Sequence, residues 1–382
     1  MRMLVLGAGL QGSACAYDLL QNSEVTEVRL ADVHTGHLPR FLAPYSGKRL
    51  IFTTIDVRDR EATLALMRQS DAVMSAIPYY FNFDLASLAV EAGVHFSDLG
   101  GNTEIVFKQK TLDPAAKKKN ITVIPDCGLA PGMVNILAEH GIRQLDTVDA
   151  VCIFVGGLPQ HPEPPLNYQI VYSLEGVLDY YTTLSWILRN GKRTQVTALS
   201  EIEPVDFGGS LGKLEGFHTA GGLSTMAFRY EGKIPTMEYK TLRYPGHARI
   251  MEAIRELGLL ELKPVDVKGV KVVPRDLVVA AMGPRLTKPR SRDLVALRVV
   301  ADGKKNGKHT RIGWEMVDYY DEKNGISAME RSTGYSLSIT GQMQARGEIG
   351  KAGVFTPDEA VPAEKYIDEL GKRGVMIKEM KQ

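Results

Sequence analysis

Three glycines near the start of the 382-residue sequence have a spacing that can bind phosphate. Gly7, Gly9 and Gly12 form a GxGxxG motif, directly after a four-residue apolar run and at the start of a helix-like segment. In this context, the first glycine permits a tight turn, the second lets the backbone approach a pyrophosphate, and the third allows close helix–strand packing. The first turn of the helix offers unpaired N–H groups and the positive end of its dipole. The pattern predicts a dinucleotide site that includes Leu10 and Gln11.

An acidic residue, twenty positions after the third glycine, indicates which dinucleotide binds. Asp32 ends the second predicted strand, where its carboxylate would accept hydrogen bonds from the adenosine ribose hydroxyls. A 2′-phosphate would meet the same negative charge, so we expect NAD as the cofactor and not NADP. Asp56 closes the third predicted strand, where it would contact the adenine amino group or cap the following helix. Ala76, Ile77 and Pro78 close the fourth, at the sheet edge where ligands bind.

The segments that position these residues alternate between short apolar runs and helix-like stretches. Continuous apolar strands separated by helices indicate parallel pairing through βαβ crossovers, with both sheet faces covered. We therefore predict an α/β fold with a Rossmann-type, doubly wound parallel sheet. The predicted strands are Met3–Leu6, Glu27–Asp32, Leu50–Asp56, Ala72–Ile77, His95–Leu99 and Ile121–Pro125. The predicted helices are Leu10–Leu20, Arg60–Arg68, Phe83–Glu91 and Val106–Lys119.

The pattern changes after about Leu129, where longer segments that look antiparallel follow. We predict a second, α+β domain over residues 129–334. An Asn306-Gly307 pair predicts a hairpin turn. The predicted strands are Val148–Val155, Thr236–Arg243, Leu294–Ala301 and Thr310–Tyr319. The predicted helices are Leu174–Tyr181, Gly246–Leu257 and Arg275–Met282. The C-terminal tail has two further predicted helices, Ala328–Gln344 and Ala363–Arg373.

Composition excludes several classes of protein. Lys and Arg number 46 against 45 Asp and Glu, and this balance argues against a nucleic-acid or membrane-surface binder, which needs a concentrated basic face. Cys15, Cys127 and Cys152 are widely spaced and odd in number, which disfavours a disulfide framework and a structural zinc site. The eight histidines are scattered without metal-binding spacing, so we expect no metal. The first apolar run is too short for a signal peptide, and we expect a soluble, cytoplasmic protein.

Several longer motifs resemble those of a known family. The chain resembles the saccharopine dehydrogenase family over nearly its whole length. The motifs are Gly7–Gly12 with Leu30–Asp32, Asp98–Gly101, Pro125–Asn135, Gly156–Pro159 with Pro162–Pro165, Ser173–Gly176, Phe217–Gly222 and Lys240–His247. One departure concerns Ala130, because saccharopine-forming members of the family carry an acidic residue at that position of the turn. Its absence favours a smaller substrate without the glutamate arm.

The resemblance implies an activity, a cofactor and an assembly. The implied reaction is NAD-dependent oxidative deamination of the ε-amino group of L-lysine, with release of ammonia and NADH. The product, 2-aminoadipate 6-semialdehyde, cyclises to piperideine-6-carboxylate. The resemblance also implies that residues 335–382 complete the NAD-binding domain of residues 1–128. It further implies that the second domain, residues 129–334, binds the substrate and forms a homo-oligomer, a dimer or a multiple of dimers.

That reaction needs a proton acceptor and groups that hold the ends of the amino acid. Arg243 ends a predicted strand and is the predicted anchor for the α-carboxylate, the alternative being a surface ion pair. His218 is a candidate for proton transfer because histidine titrates near neutral pH, although a buried packing histidine is the alternative. Lys240 is the rival base if burial favours its neutral form, and otherwise a solvated strand lysine. Asp98 ends the fifth predicted strand, where it would hold the α-ammonium or the reacting amine.

Five further residues are weaker candidates. Asp126 would contact the substrate or cap the helix that follows, and Glu175 would contact the substrate or be a first-turn helix acid. Thr219 and Tyr239 are predicted substrate contacts. Gly128 would let the backbone pass close to the nicotinamide.

Two other functions remain open at this stage. One is a saccharopine dehydrogenase or reductase, or a related amino-acid-semialdehyde reductase, which needs a second cationic site for the extra carboxylates. The other is a non-catalytic NAD(H)-binding regulatory protein. The polar residues clustered with glycines in the second domain argue against the latter, because a degenerate site would not need them.

Overall fold

The computed structural model describes residues 1–34, 36, 38–171, 173–288 and 292–381. The chain forms two compact units. Unit 1 comprises Met1–Gln144, Ser224–Met226 and Asp321–Glu379, and unit 2 comprises Leu145–Leu223, Ala227–Tyr320 and Met380–Gln382. The chain therefore passes to unit 2 after Gln144, returns to unit 1 briefly at Ser224–Met226 and again at Asp321, and reaches unit 2 once more at Met380.

Strands occur throughout the chain. In order, they are β1 (Arg2–Leu6), β2 (Glu27–Asp32), β3 (Leu50–Thr54), β4 (Ala72–Ser75), β5 (His95–Asp98), β6 (Thr122–Ile124), β7 (Thr147–Pro159), β8 (Ser185–Arg189), β9 (Lys192–Val196), β10 (Glu203–Asp206), β11 (Lys213–His218), β12 (Thr236–Arg243), β13 (Val265–Val267), β14 (Val270–Val272), β15 (Asp293–Lys305), β16 (Lys308–Tyr319), β17 (Gly353–Val354) and β18 (Lys378–Lys381).

Helices separate most of these strands. In order, they are α1 (Leu10–Gln21), α2 (Arg60–Met67), α3 (Asn82–Ala92), α4 (Thr103–Lys110), α5 (Asp113–Lys118), α6 (Met133–Ile142), α7 (Leu174–Thr182), α8 (Met226–Arg229), α9 (His247–Glu256), α10 (Pro274–Leu286), α11 (Ala328–Ala345), α12 (Pro357–Ala360) and α13 (Ala363–Lys372). Short 3₁₀ turns occupy Ala43–Tyr45 and Tyr79–Phe81. Of the helices described here, none is long and apolar enough to cross a bilayer.

The sheet of unit 1 has the strand order β17-β6-β5-β4-β1-β2-β3, and its strands are parallel. The Rossmann-type α/β prediction is confirmed. Its strands are buried on both faces, as shown by Leu4 and Val73 on one face and Val5 and Met74 on the other, which is why they read as continuous apolar runs. β17, from the C-terminal part of the chain, pairs with β6 and so extends this sheet.

Helix α11 packs closely on α1, the helix that follows the glycine motif. A Cβ at Gly334 would lie 2.8 Å from the Cβ of Ala14 and 2.7 Å from the carbonyl oxygen of Gln11. Only glycine permits that approach. Ser338 of α11 donates a hydrogen bond of 2.7 Å to the buried Asp18 of α1. The C-terminal part of the chain therefore supports the back of the predicted dinucleotide site.

The main sheet of unit 2 includes, in this order, β10-β11-β12-β7-β15-β16, with the β8–β9 hairpin beside β12. Helices α7, α9 and α10 cover one face through apolar side chains such as Leu178, Met251 and Val278. The predicted α+β second domain is confirmed in its architecture. The antiparallel prediction for Thr236–Arg243 is wrong in part, because β12 is parallel to β7 and antiparallel to β11.

Most predicted elements of unit 1 agree with the structure to within two residues at each end. The predicted helix Val106–Lys119 is wrong, because it is divided into α4 and α5, and proline occupies the first turn of the second helix. The hairpin turn is confirmed, since Asn306 and Gly307 have φ values of 51° and 73°. The strand Val148–Val155 is longer than predicted and continues through Pro159.

Candidate cofactor and substrate sites

The glycine motif forms a turn into which no side chain would fit at two of its positions. Gly7 has a φ of 99°, and its N–H donates to the carbonyl oxygen of Ala31 at 2.7 Å. A Cβ at Gly7 would lie 2.8 Å from both Ala76 O and Ile77 Cγ2. A Cβ at Gly12 would lie 1.8 Å from the carbonyl oxygen of Gly7. The sequence motif and the first residues after β4 therefore form one compact backbone unit.

The first turn of α1 is open to a ligand. Its N-cap, Gly9, provides no side-chain hydrogen bond, and a Cβ at that position would meet no atom within 4 Å. Leu10 is exposed, and Oε1 of Gln11 is buried without a hydrogen-bond partner in the described part of the chain. Free N–H groups at a helix N-terminus and this acceptor fit a dinucleotide, whose phosphates need donors and whose hydroxyls need acceptors.

Asp32 lies at the end of β2, beside the glycine turn. Its Oδ2 accepts a hydrogen bond from the N–H of Ala8 at 2.7 Å, and its Oδ1 accepts one from the N–H of His34 at 2.9 Å. Each carboxylate oxygen keeps a further lone pair for a ligand hydroxyl. The backbone therefore fixes this negative charge at the position predicted for the adenosine ribose.

Asp56 forms an ion pair with Arg58, and its predicted contact with the adenine amino group stays a prediction. It lies two residues beyond the end of β3, and its carboxylate binds the guanidinium of Arg58 with an Nε–Oδ1 distance of 2.9 Å. These hydrogen bonds lower the pKa of Asp56 to about 2. The helix-cap alternative is wrong, because the N-cap of α2 is Asp59, which accepts from the N–H of Ala62 at 3.1 Å.

Asp98 ends β5 and is completely buried. Its carboxylate accepts hydrogen bonds from the N–H of Gly100 at 2.7 Å, from Nε2 of Gln109 at 2.7 Å and from the N–H of Asp126 at 3.4 Å. Burial raises the pKa of Asp98 to about 6, and the three donors limit that rise. Its position at the carboxyl edge of the sheet agrees with the prediction for this residue.

Asp126 follows β6 at the same edge and is also buried. The hydroxyl of Ser224 and the N–H of Gly101 donate to its carboxylate. Burial, and then the nearby carboxylate of Asp98, raise the pKa of Asp126 to about 7. The helix-cap alternative is wrong, since the N-cap of α6 is Gly132. Two acidic side chains with pKa values near neutrality therefore lie side by side.

Gly128 lies in the turn between β6 and α6. Its carbonyl oxygen accepts hydrogen bonds from the hydroxyl of Ser336 at 3.0 Å and from the N–H of Met133 at 2.9 Å. A Cβ at Gly128 would lie 3.2 Å from the carbonyl oxygen of Pro131. The glycine is thus required by close packing within unit 1, and its predicted proximity to nicotinamide stays a prediction.

In unit 2, the alternation of β12 separates the predicted site residues. Tyr239 and Arg243 point to one face of the sheet and Lys240 to the other, because neighbouring residues of a strand alternate. His218 of β11 is paired directly with Lys240 and therefore shares its face. The structure does not bring His218 and Lys240 together with Arg243.

Arg243 lies among aromatic side chains and is 3% exposed, so the surface ion-pair alternative is wrong. Its Nη1 donates to the carbonyl oxygen of Leu242 at 2.8 Å, and its guanidinium lies 4.8 Å from the ring centre of Tyr168. His247, beside it, contacts Tyr181 Oη through Nε2 at 2.9 Å. Burial and the charge of Arg243 lower the pKa of His247 to about 3, so this imidazole is neutral.

Thr219 and Tyr239 lie on the same side as Arg243. The hydroxyl oxygens of Thr219 and Thr241 are 2.7 Å apart. The ring of Tyr239 lies against Gly222, where a Cβ would be 2.3 Å from the ring, and burial raises the pKa of its hydroxyl. Gly222, the last residue of the Phe217–Gly222 motif, therefore makes room for the side chain of Tyr239.

His218 and Lys240 are buried themselves, and they contact a group of carboxylates of which Glu201 and Glu203 are partly exposed. The Nε2 atom of His218 lies 3.3 Å from Oε2 of Glu201 and 3.8 Å from Oε2 of Glu238. Nζ of Lys240 donates to Oε1 of Glu203 at 2.5 Å and to the carbonyl oxygen of Glu201 at 3.1 Å. The solvated-lysine alternative is wrong, because Lys240 is 5% exposed.

The same group of side chains contains the best-placed candidate metal ligands in the described residues. The ligand atoms of Glu201, His218 and Glu238 all lie within 4.8 Å of one another. Nζ of Lys240 is 4.0 Å from Oε1 of Glu238. The positive charge of this ammonium group would repel a metal ion bound there. The predicted absence of a metal stays a prediction.

Glu175 is an exposed residue in the first turn of α7. The N-cap of that helix is Ser173, whose hydroxyl accepts from the N–H of Gly176 at 3.2 Å. A negative charge in this turn is favourable because of the helix dipole. The position matches the first-turn alternative for this glutamate.

Sequence reasoning missed the residues that hold Arg243 in place. These residues come from three separate segments and are Tyr168, Tyr181 and His247. Only His247 lies within one of the family motifs, Lys240–His247. Glu215 was also missed: its carboxylate accepts from the N–H groups of Gly246 at 2.9 Å and Ala248 at 2.6 Å, at the start of α9. A buried glutamate on a strand is a signal that could have marked it, since buried carboxylates need donors.

A second missed feature is an aromatic pair at the ligand edge of unit 1. Tyr79 and Tyr80 follow Pro78 directly, both are exposed, and their ring centres are 5.8 Å apart. Exposed aromatic side chains beside a predicted cofactor loop are candidates for ligand contacts. Two tyrosines immediately after a strand that ends at this edge were the available signal.

Comparison with protein families gives two matches that together cover most of the chain. Residues 3–124 match the model described as "Saccharopine dehydrogenase NADP binding domain", and residues 128–375 match "Saccharopine dehydrogenase C-terminal domain". The two matches meet in the turn between β6 and α6.

Individual proteins show the same likeness. Alpha-aminoadipic semialdehyde synthase of Mus musculus, a mitochondrial protein, is 28% identical over 271 residues, which are 68% of this chain and 28% of that protein. Saccharopine dehydrogenase [NADP(+), L-glutamate-forming] of Saccharomyces cerevisiae is 25% identical over 276 residues, 68% of this chain and 58% of that protein. The chain thus matches between about a quarter and somewhat over half of the length of these relatives.

A solved structure shares the fold. The apo, histidine-tagged saccharopine dehydrogenase (L-Glu forming) from Saccharomyces cerevisiae has a TM-score of 0.81 and 21% sequence identity. The alignment covers 100% of this chain and 99% of that chain. The arrangement of elements described above is therefore one that a known structure also adopts.

Proposed function

The chain belongs to the saccharopine dehydrogenase family, and we propose that it is an NAD-dependent oxidoreductase that removes the ε-amino group of L-lysine. In the proposed reaction, lysine transfers a hydride from its ε-carbon to NAD⁺. Water then replaces nitrogen, so that 2-aminoadipate 6-semialdehyde, ammonium and a proton are released. The semialdehyde cyclises to piperideine-6-carboxylate.

The observation that carries the proposal is the environment of Arg243. A guanidinium buried among tyrosine rings and a neutral histidine recognises a carboxylate strongly, because its charge is poorly screened there. The hydroxyls of Thr219 and Thr241 on the same face can add neutral hydrogen bonds. Such a surface suits the α-carboxylate of a single amino acid.

The choice of NAD rests on Asp32. Its carboxylate is fixed by two backbone N–H groups, so it cannot easily turn away from a 2′-phosphate. Coulomb repulsion between this carboxylate and the 2′-phosphate of NADP therefore disfavours NADP. When NAD is bound, its nicotinamide supplies the hydride chemistry, and the glycine turn with Gln11 would hold the remainder of the molecule.

The proton acceptor that we propose is Asp126, with Asp98 as its neighbour. A base works best when its pKa is close to the working pH, and the pKa of Asp126 is about 7. Both residues follow strands at the carboxyl edge of the parallel sheet, where nucleotide ligands bind in such folds. His218 and Lys240 are engaged with carboxylates on the opposite face from Arg243, which favours a structural role for them.

A second candidate function is the NADP-dependent, glutamate-forming reaction of saccharopine. The names of the relatives and the description of the matching N-terminal family model favour it. Saccharopine carries further carboxylates, so it requires additional cationic groups near Arg243. The alanine at position 130 and the carboxylate of Asp32 favour lysine and NAD.

One assay separates these possibilities. The purified chain is incubated with each of NAD⁺ and NADP⁺, together with L-lysine or saccharopine, and the reduced cofactor is followed by its absorbance. We expect turnover with L-lysine and NAD⁺. Turnover with saccharopine and none with lysine would contradict the proposal, and cofactor binding without turnover on a panel of amino acids would support the regulatory alternative.

The cofactor preference has its own test. Asp32→Ala is expected to relax the preference for NAD⁺ over NADP⁺, and Asp32→Asn separates the charge from the shape of the side chain. Glu61→Ala is the matched control, because that exposed carboxylate of α2 pairs with Arg60 and lies outside the predicted cofactor site. If Asp32→Ala still excludes NADP⁺, the role assigned to this carboxylate is wrong.

A further inference from the structure

Unit 1 contains a cavity that plays no part in the sites described above. It lies along α1 and α11 and beside the C-terminal end of α13, and its volume is about 390 Å³. We refer to it as the helix cavity. Small-molecule sites commonly have volumes of roughly 300–1,000 Å³, so this space is large enough for a small ligand. Among the described residues that line it, none belongs to the glycine turn Gly7–Gly12, and Asp32 is not included.

Asp18 is the most deeply buried acid of the helix cavity, and its carboxylate is well supplied with donors. It accepts hydrogen bonds from Nε of Arg373 at 2.6 Å, from the hydroxyl of Ser338 at 2.7 Å and from Nε2 of Gln342 at 3.3 Å. Gln342 precedes Arg346 by one turn of α11, so the two side chains are neighbours on one helix face. The guanidinium groups of Arg346 and Arg373 therefore lie on either side of a shared contact with Asp18.

The two other acids of the lining are also engaged. The carboxylate of Asp321 accepts hydrogen bonds from the N–H and the Nδ2 of Asn324 at 3.1 and 2.7 Å, and from Nη1 of Arg331 at 3.4 Å. Oε2 of Glu369 accepts from Nη1 of Arg373 at 2.6 Å. These carboxylates therefore leave little acceptor capacity for a ligand that donates hydrogen bonds.

Donors of the helix cavity, in contrast, remain available. Arg346 binds Glu24 through Nε at 2.7 Å, and its two Nη atoms have no hydrogen-bond partner among the described residues. Arg373 uses Nε for Asp18 and Nη1 for Glu369, so its Nη2 is free within the same part of the chain. A guanidinium group donates hydrogen bonds and cannot accept them. The free capacity of the cavity is therefore suited to an anion.

Tyr335 of α11 provides an independent indication of a ligand. Its side chain lines the helix cavity and is 4% exposed, and its hydroxyl has no hydrogen-bond partner among the described residues. Burial, and then the charge of Asp18, raise the pKa of this hydroxyl, which therefore stays protonated and able to donate. A buried polar group without a partner costs free energy, and an acceptor bound in the cavity would remove that cost.

We propose that the helix cavity binds a small organic molecule that carries one carboxylate group. The two Nη atoms of Arg346 can form the paired hydrogen bonds that guanidinium groups make with carboxylates, and Tyr335 can add a third donor. The rings of Tyr17 and Tyr335 offer apolar surface for the remainder of the molecule. None of these residues belongs to the predicted cofactor or substrate sites, so the inference is independent of the proposed activity.

The charge of the lining favours a carboxylate over a phosphate. Four cations face three acids, which gives a net charge of +1. One carboxylate balances this charge, whereas a phosphate group carries nearly two negative charges at neutral pH and would exceed it. The cations are Arg331, Arg346, Lys372 and Arg373, and the acids are Asp18, Asp321 and Glu369.

Binding of 4-fluorobenzoate to the full chain, followed by fluorine NMR, tests the proposal. We expect a dissociation constant on the order of 1 mM, as is usual for so small a ligand. The neutral 4-fluorobenzamide has nearly the same shape and is expected to bind at least about tenfold more weakly, because it lacks the charge that the guanidinium groups recognise. Inorganic phosphate is expected to displace the probe only at several times higher concentration.

Two variants locate the probe in the helix cavity. Tyr335→Phe removes only the hydroxyl that lacks a partner, so it should weaken binding of 4-fluorobenzoate about tenfold and leave urea unfolding unchanged. Arg346→Gln removes the free Nη groups and should weaken binding by at least about tenfold. Its ion-pair partner, Glu24, is 60% exposed, so the loss of that pair should have little effect on stability.

Two further variants serve as controls. Arg68→Gln removes an exposed arginine of unit 1 that lies outside the helix cavity, and it is expected to leave binding of the probe unchanged. Arg243→Ala is also expected to retain this binding, because Arg243 belongs to unit 2. The second control distinguishes the helix cavity from the predicted anchor for the substrate carboxylate.

Four results would overturn the proposal. The first is the absence of binding at tens of millimolar 4-fluorobenzoate, and the second is equal affinity for 4-fluorobenzamide. The third is an affinity for 4-fluorobenzoate that is unchanged in either Tyr335→Phe or Arg346→Gln, or that is lost in Arg243→Ala. The fourth is tighter binding of inorganic phosphate than of the probe, which would assign the cavity to phosphate.

Discussion

The glycine turn of unit 1 and the Arg243 environment of unit 2 are built in different ways. In the turn, the functional groups are backbone N–H groups, and the shortest of the distances that require glycine joins Gly7 and Gly12, which are close in sequence. Around Arg243, the functional groups are side chains from segments as far apart as Tyr168 and His247. The first site depends on the absence of side chains, and the second depends on the register of a strand.

The difference is visible in what each site tolerates. At Gly12 any side chain would collide with backbone, which cannot move away. At β12 a shift of one residue would exchange the two faces of the strand and turn Arg243 to the face that Lys240 occupies. The pairing of β12 with β7 and β11 excludes that shift.

The largest expected effect follows from Gly12→Ala. The new Cβ would lie 1.8 Å from the carbonyl oxygen of Gly7, so the turn must open. We expect the free energy of unfolding to fall by about 2–4 kcal/mol and NADH binding to weaken at least about 100-fold. Fluorescence titration with NADH and urea unfolding measure the two effects.

Gly9→Ala is the matched control. Its Cβ would meet no protein atom within 4 Å, so the stability of the protein without ligand should be unchanged while NADH binding weakens. A Gly12→Ala protein with the affinity of the unmodified chain would show that the turn is not the pyrophosphate site.

The next effect concerns Arg243. Arg243→Ala should lower kcat/KM for L-lysine by about 100-fold or more, mainly through KM, because the α-carboxylate loses its buried cation. Binding of NADH should change little. Arg249→Ala, which changes an exposed arginine of α9, is the control for a general loss of positive charge. An unchanged KM for lysine would remove Arg243 from the substrate site.

The pH dependence of Asp126 is the third expected effect. If this carboxylate accepts the substrate proton, kcat rises with pH through about 7, and Asp126→Asn abolishes most of the activity. Asp98→Asn should shift the pH profile of kcat, and it should lower the activity less than Asp126→Asn does. A pH profile of Asp126→Asn that matches the unmodified enzyme would exclude this role.

The same shift affects stability, with a defined sign. The pKa of Asp126 is raised in the folded state, so its contribution to stability is complete below about pH 4 and is lost as pH rises through 7. Asp126→Asn should therefore unfold with a free energy that declines less between pH 5 and pH 8. Urea unfolding at several pH values, monitored by circular dichroism, measures this slope.

The smallest effect on activity is expected on the other face of β12. His218→Gln and Lys240→Met disturb the network with Glu201 and Glu203, so each should reduce the free energy of unfolding by about 1–3 kcal/mol. Because these side chains point away from Arg243, KM for lysine should change by less than about threefold. A variant that remains folded but loses most of its kcat would contradict this expectation. It would show that the replaced side chain, His218 or Lys240, acts in the reaction.

Much of unit 1 could be predicted from the sequence. Parallel strands buried on both faces leave an unambiguous apolar pattern, and the glycine motif is local, so both could be identified without knowledge of the fold. The alternatives at Asp56 and Asp126 could not be decided, because a helix cap depends on where the helix starts, and α2 and α6 start at other residues.

Unit 2 was less accessible to prediction. Arg243, His218 and Lys240 were all recognised as candidates, but their separation to two faces depends on strand pairing that the sequence does not contain. The β13–β14 hairpin was not predicted, because each strand has only three residues and no dipeptide typical of a hairpin turn joins them.

The sequence by itself determined the dinucleotide fold, the glycine turn with Asp32 and the resemblance to one family. These depend on residue types at fixed short spacings, where steric exclusion by a single Cβ is decisive. Only the tertiary structure decided which charged side chains are buried together. It surrounded Arg243 with aromatic rings, placed Asp98 beside Asp126 and turned His218 away. Burial and distance between remote segments set those charges, and both arise only when strands pair and helices pack.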